Sequence, residues 1–193
     1  MQHNPHFELS LHPHNVNGRR LKLRLELVPK HLHRRNLRSE TEGIGQARWK
    51  KLRLQSIEAC GGKCIICEGT DKLHGHEVWK YDEKKTVGTA TLLNVDAVCR
   101  TCHNIGHWGN TLLMIRAGLI KHETHLLLRR HFRRINCCHQ ADFDRHVLSS
   151  FAEWSRRSKK KWTIDWGPFK QLVAEAATYR ARKKSLARSV VKK

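Results

Sequence analysis

The chain has 193 residues, with 38 lysines and arginines against 17 aspartates and glutamates, a formal charge of +21. Hydrophobic residues make up 39%, enough for a modest core and too many for a fully disordered chain. No apolar stretch approaches the roughly 20 residues of a membrane span, and the N-terminus lacks an apolar signal-peptide core. A cytoplasmic protein with a polyanionic partner, nucleic acid first, is the expectation.

Residues 1–20 are polar and rich in histidine, with His3, His6, His12 and His14 spaced too loosely for a metal site. Leu21 to Val28 alternates apolar and polar residues, which predicts a strand stopped by Pro29. Residues 46–60 predict a helix ended by Gly61-Gly62. Residues 64–107 predict short strands and turns, with a helix beginning near Cys102. Two helical pieces follow between Thr111 and Ile135, separated near Gly118. Phe143, Val147, Phe151 and Trp154 fall on one helical face. Pro168 is expected to open a last helix that buries Leu172, Val173, Ala176 and Tyr179. Beyond Arg180 the chain carries six basic residues and no acid, and fraying or disorder is expected.

The charge is uneven. Residues 51–100 carry 8 basic and 7 acidic side chains, whereas residues 151–193 carry 13 and 3. A near-neutral centre with basic flanks suits a compact site held on a phosphate backbone by its arms. Arg129-Arg130, Arg133-Arg134, Arg156-Arg157 and Lys159-Lys160-Lys161 are the candidate phosphate contacts. A solvated basic surface with no defined partner is the plain alternative.

Seven cysteines form a poor disulfide framework. Four of them make two matched pairs, Cys64-Ile-Ile-Cys67 and Cys99-Arg-Thr-Cys102, separated by 31 residues. Two such turns complete a tetrahedral sulfur site, and four thiolates close it, so a structural Zn²⁺ is expected. Cys137-Cys138-His139 lacks a second pair and is a weak metal candidate. Trp79 and Trp108 flank the cysteine pairs and are expected in the core rather than stacked on bases. His122, His125, His131 and His146 fall on helices and are expected at the surface or as donors at the core edge.

Histidines cluster around the second pair. His74 and His76 are two apart and share one side of a strand, and His103 and His107 are four apart and share a helix face. Three or four imidazoles that do not close a site can hold a divalent metal with open positions, as hydrolysis requires. Phosphodiester cleavage also needs a base, and a neutral imidazole serves near pH 7.

The order Cys-x-x-Cys, strand histidine, Asn94, second Cys-x-x-Cys and following histidine resembles the HNH endonucleases, most closely over residues 60–109. The run from Leu127 to Asn136, and Trp154 with Arg157, Trp162, Asp165 and Gly167, are more weakly similar to bacterial and phage members. The resemblance implies an α+β fold. Its ββα-metal core would be stapled by the four-cysteine zinc, with flanking helices on both sides. It makes His76 the general base, Asn94 the residue that orients it, and His103 and His107 ligands of a catalytic divalent ion (Mg²⁺, Mn²⁺, Ni²⁺ or Zn²⁺). It implies products with 5′-phosphate and 3′-hydroxyl ends, and DNA ahead of RNA as substrate. One position departs: the family's usual ligand before the base is Gly75 here. His74 is then the expected substitute, ahead of Glu77 and Asp82.

The expected organisation is a basic N-terminal arm (1–45), an HNH core (46–117), a helical extension (118–180) and a basic tail (181–193). Two other readings stand beside the nuclease. One is a zinc-containing nucleic-acid-binding module without catalysis. The other is a subunit of a larger defence or mobile-element assembly that recruits it through a protein partner.

Overall fold

Leu21, Leu23 and Leu25 are all buried, as period-two alternation requires, yet the segment they occupy forms no strand. In the computed structural model, which describes residues 15–16 and 19–191, helix side chains satisfy its backbone instead. Asn136 Oδ1 accepts from the Lys22 and Leu23 N–H groups at 2.9 and 3.0 Å, and Asn136 Nδ2 donates to the Leu23 carbonyl at 2.7 Å. His146 Nε2 accepts the Leu25 N–H at 3.0 Å, and Trp154 Nε1 donates to the Val28 carbonyl at 3.0 Å. The expected strand is therefore corrected to an irregular segment, because backbone polar groups can be paired by side chains as well as by a neighbouring strand. Asn136→Ala strands two N–H groups and one carbonyl at once. It should destabilise the protein by about 1–3 kcal/mol, seen as a lower urea midpoint with unchanged slope.

The elements in chain order are β1 (Asn15–Val16), β2 (Arg19–Arg20), α1 (Gly45–Ala59), β3 (Leu73–Glu83), β4 (Val87–Cys99), α2 (Arg100–Gly106), α3 (Trp108–Arg116), α4 (Thr124–Asn136), α5 (Gln140–Arg157), β5 (Lys161–Asp165) and α6 (Lys170–Val191). The fold is α+β, with six α-helices and a three-stranded mixed sheet in the order β3-β4-β5 among the described residues. Where the sequence suggests short strands, β3 and β4 run 11 and 13 residues. β4 is rich in β-branched residues, Val87, Thr89, Thr91, Val95 and Val98, which favour continuing a strand past the turns expected there. None of the described helices is long and apolar enough to cross a membrane.

The chain forms two units that interleave in sequence. The first comprises the described part of 1–29 with 62–74 and 98–159, and holds α2 to α5. Trp108 and Phe132 both meet Phe143 edge-on, at centroid distances of 5.3 and 4.9 Å. The break expected near Gly118 lies between α3 and α4, and Gly118 adopts φ +71°. The expected face of α5 is present: Phe143 is buried, and Phe151 lies edge-on to Trp154.

The second unit comprises 30–61, 75–97 and 160–193. Leu37, Ile44, Leu92, Val95 and Ala176 form its core, with Trp49, Leu52, Trp79, Trp166 and Phe169 packed around them. β4 and β5 pair in parallel, from Val87 with Lys161 to Thr91 with Asp165. Gly88 makes that pairing feasible, since a Cβ there would lie 2.5 Å from the Trp162 ring. Pro168 sits in a 3-10 turn, Gly167–Phe169, that leads directly into α6. Ala176 is buried as expected, but Tyr179 is exposed, with the Arg48 guanidinium 5.2 Å from its ring centre. α6 continues to Val191, past the point where fraying is expected. The physical reason is composition: residues 170–191 contain no glycine or proline and are rich in alanine, lysine and arginine, all good helix formers. His3, His6, His12 and His14 lie outside the described residues, as do Lys192 and Lys193.

Candidate metal centre

The two cysteine pairs converge. One sulfur from each of Cys64, Cys67, Cys99 and Cys102 lies within 4.8 Å of the others. Tetrahedral Zn–S bonds of about 2.3 Å would place sulfurs roughly 3.8 Å apart, and Cys67 Sγ and Cys99 Sγ are 3.6 Å apart. The first pair sits in a tight loop closed by the Cys64 N–H on the Gly69 carbonyl at 2.9 Å and the Glu68 N–H on the Cys64 carbonyl at 2.8 Å. The second pair is the first turn of α2, where Cys99 Sγ caps the helix by accepting the Cys102 N–H at 3.4 Å.

Cys64, Cys99 and Cys102 are buried. Hydrogen bonds from the Cys102 and Cys99 thiols hold the Cys64 thiol well below its ordinary range. The contact with Cys64 pushes Cys102 up, with Cys99 and burial adding to it. Cys99 is pulled down by its bond with Cys102, but Cys64 and burial outweigh that and push it up to about 11. Protons shared among four enclosed sulfurs are what a divalent cation replaces, so the donor set fits a structural zinc.

α2 carries the next chemistry directly after its cysteine turn. His103 and His107 are one helical turn apart, with ring centres 4.6 Å apart and the His107 N–H on the His103 carbonyl at 3.0 Å. The His74 ring stacks on His103 at 5.0 Å with 23° between planes. His76, in the second unit, is buried on β3. The His103 and His107 imidazoles, both in the first unit, are a donor pair for a divalent cation that keeps open positions. His74, the substitute ligand expected from sequence, lies in the same unit as His103 and stacks on its ring.

The departure at Gly75 has a packing cause. A Cβ there would lie 3.0 Å from Trp49 Cζ2 and 3.2 Å from Arg53 Cγ of α1. A ligating Asp or His at this position would therefore have to push the Trp49 and Arg53 side chains aside by a few tenths of an ångström. Gly75→Asp should destabilise the protein by about 1–3 kcal/mol through overpacking, and should add no metal affinity in a titration followed by calorimetry.

The other substitutes are committed elsewhere. Glu77 accepts the Leu37 N–H at 2.8 Å and Trp79 Nε1 at 3.0 Å, and burial pushes its carboxyl above the usual range. Asp82 pairs with Lys80 at 2.9 Å on the surface. Asn94 is exposed and donates to Asp96 Oδ1 at 2.7 Å. Trp79 packs against Trp166 and Trp108 is buried, so both lie in cores as expected.

Several candidate phosphate contacts are engaged within the protein. Arg129 pairs with Asp144, Arg157 with Glu153 at 2.8 Å, and Lys160 with Glu83 at 2.9 Å. Arg133 is half-buried, Arg156 lies 3.9 Å from Glu153, and Arg130, Arg134, Arg156, Lys159 and Lys161 are exposed. Cys137 is exposed in a left-handed conformation (φ +48°), and among the described residues neither it nor Cys138 joins a ligand cluster.

One residue escapes the sequence reading. His131 of α4 places Nε2 3.3 Å from Cys102 Sγ. Burial, with the nearby Arg134 charge, pulls its imidazole below the ordinary range. Nothing in its spacing marks it, because it reaches the cysteines only through the packing of α4 on α2. Comparison of the chain with family models, with curated proteins and with solved structures returns no match.

Proposed function

We propose that this chain is a metal-dependent endonuclease of the HNH type, acting on DNA in preference to RNA. The observation that supports this most is that the second cysteine pair forms the first turn of α2, His103 follows it directly, and His107, the residue that ends α2, has its ring 4.6 Å from that of His103. A strand–strand–helix order with a zinc-anchored helix and a histidine-bearing strand is the arrangement the family resemblance implies.

In this reading His103 and His107 hold a divalent ion, which when bound stabilises negative charge on the scissile phosphate. His76 takes the proton of the attacking water, a step a positioned imidazole accelerates near neutral pH. Buried on β3, His76 is fixed in direction by the strand. Supercoiled plasmid incubated with Mg²⁺, Mn²⁺ or Ni²⁺ tests the activity. Nicked or linear product is expected with the ion and none with excess chelator, and no product with any ion would refute the nuclease reading.

Nucleic acid is held, in this proposal, by exposed basic side chains, and α6 supplies several of them. Arg182, Lys183 and Lys184 are exposed on its last turns. Deleting residues 181–193 removes six basic residues. Affinity should fall about equally for all sequences. The dependence of log K on log salt should become shallower, by about 0.9 for each duplex phosphate that the shortened chain no longer neutralises. An unchanged slope in a salt titration would show that the tail does not touch the phosphate backbone. A protein partner in a larger assembly is compatible with this proposal and would use other surfaces.

A further inference from the structure

We infer that His131 and Arg134 form an outer relay to the zinc centre, in which His131 donates a hydrogen bond to the Cys102 thiolate and Arg134 fixes the tautomer that allows it. Arg134 Nη2 lies 3.2 Å from His131 Nδ1, and His131 Nε2 lies 3.3 Å from Cys102 Sγ. A guanidinium has donors only, so Nδ1 must accept. A neutral ring that accepts at Nδ1 carries its proton at Nε2, and that proton then points at the sulfur. His131 is not a fifth ligand, since it falls outside the group formed by the four sulfurs.

The placement gives the relay a purpose. Cys102 already lies in the helix turn whose amide N–H bonds Cys99 Sγ. A second donor on Cys102 itself spreads the negative charge that four thiolates accumulate around one dication. Metal ligands are generally oriented by such outer partners, whose loss weakens metal binding roughly 10–100-fold. His131 and Arg134 stand one turn apart on α4, three residues from each other, so a single rigid helix delivers both. His131 is thus a positioning residue for zinc retention. Arg134 gains a role apart from any phosphate contact.

The inference rests on the four-cysteine site holding zinc, and the experiment separates the two. Zinc-loaded full-length protein is mixed with a chromogenic chelator, and the release rate is followed for wild type, His131→Ala, His131→Gln, Arg134→Ala and His125→Ala. His131→Ala should release zinc roughly 10–100-fold faster. His131→Gln should recover part of the loss, because its amide N–H can still donate. Arg134→Ala, an exposed change that leaves the fold intact, should fall between wild type and His131→Ala. His125→Ala, on the same helix and away from the cysteines, should match wild type. In Co²⁺-substituted protein the sulfur-to-cobalt charge-transfer band should shift in His131→Ala and return towards its wild-type position in His131→Gln. Wild-type release rates and an unshifted band in His131→Ala would overturn the relay while leaving the zinc site standing. Equal acceleration in His131→Ala and His131→Gln with an unshifted band would reduce His131 to packing and also overturn it. A wild-type chain that carries no zinc would overturn the zinc site itself, and the relay with it.

Discussion

Cys99→Ser should leave the protein without zinc and with its first unit unfolded. Cys99 has two tasks: it is one of four clustered sulfurs, and its Sγ caps α2 by accepting the Cys102 N–H. Structural zinc contributes on the order of 10–16 kcal/mol of apparent binding free energy, which in such sites is folding free energy. Total domain stability is only about 5–15 kcal/mol. The metal term is therefore as large as the whole margin, and loss of one ligand cannot be absorbed. Serine can still cap a helix, so a failure of the variant to fold isolates the metal contribution from the cap. Cys64→Ser should behave alike. The check is zinc content by atomic emission alongside far-UV dichroism and limited proteolysis. The expected result is less than one zinc per chain with rapid cleavage within residues 98–159. A Cys99→Ser protein that folds fully and resists protease would show that the sulfurs are not a folding centre.

The histidines should separate by role. His76→Ala should lower cleavage by roughly 10²–10⁴-fold, the usual worth of a positioned base, with the affinity for the catalytic ion nearly unchanged. His103→Ala should weaken ion binding itself, so that raising the ion concentration restores part of the rate. The two outcomes differ because an imidazole acting on water is needed only in the transition state, whereas a ligand is needed to form the complex. If His76 is instead a third ligand, its variant should respond to added ion as His103→Ala does. His74→Ala completes the set. Its ring stacks on His103, so a modest loss repaired by added ion is expected from mis-set ligand geometry. Cleavage rate against ion concentration for the three variants decides between these roles.

Much of the metal chemistry is legible in the sequence because it is local. Matched Cys-x-x-Cys spacing brings sulfurs into tight turns, and His103 and His107 are neighbours on any helix. The i to i+2 rule likewise puts His74 and His76 on one side of β3. What could not be read depends on chain segments far apart. Gly75 looks like a missing ligand until Trp49 and Arg53 of α1 are seen against it. Glu77 looks like a spare carboxylate until Leu37 and Trp79 are found bonded to it. The segment Leu21–Val28 has the right period for a strand, and period fixes which side is buried but not what satisfies the backbone. Asn136 and His146, more than 100 residues away, do that. The two interleaved units are of the same kind, since β3 and β4 each contribute residues to both. The arginine runs show the limit of composition. Arg129, Arg157 and Lys160 read as phosphate contacts, yet each meets a carboxylate of its own chain.

The zinc-anchored helix α2 is, in this proposal, the carrier of a separate, hydrolytic histidine centre. The most direct test compares supercoiled-plasmid cleavage by wild-type and His103→Ala protein, each first shown to hold one zinc per chain, at low Mg²⁺ or Mn²⁺. The wild type should nick the plasmid and leave 5′-phosphate ends, and the variant should keep its zinc and fold while losing cleavage. Equal cleavage by the two proteins, or none by the wild type with any divalent ion, would contradict the proposed role of α2.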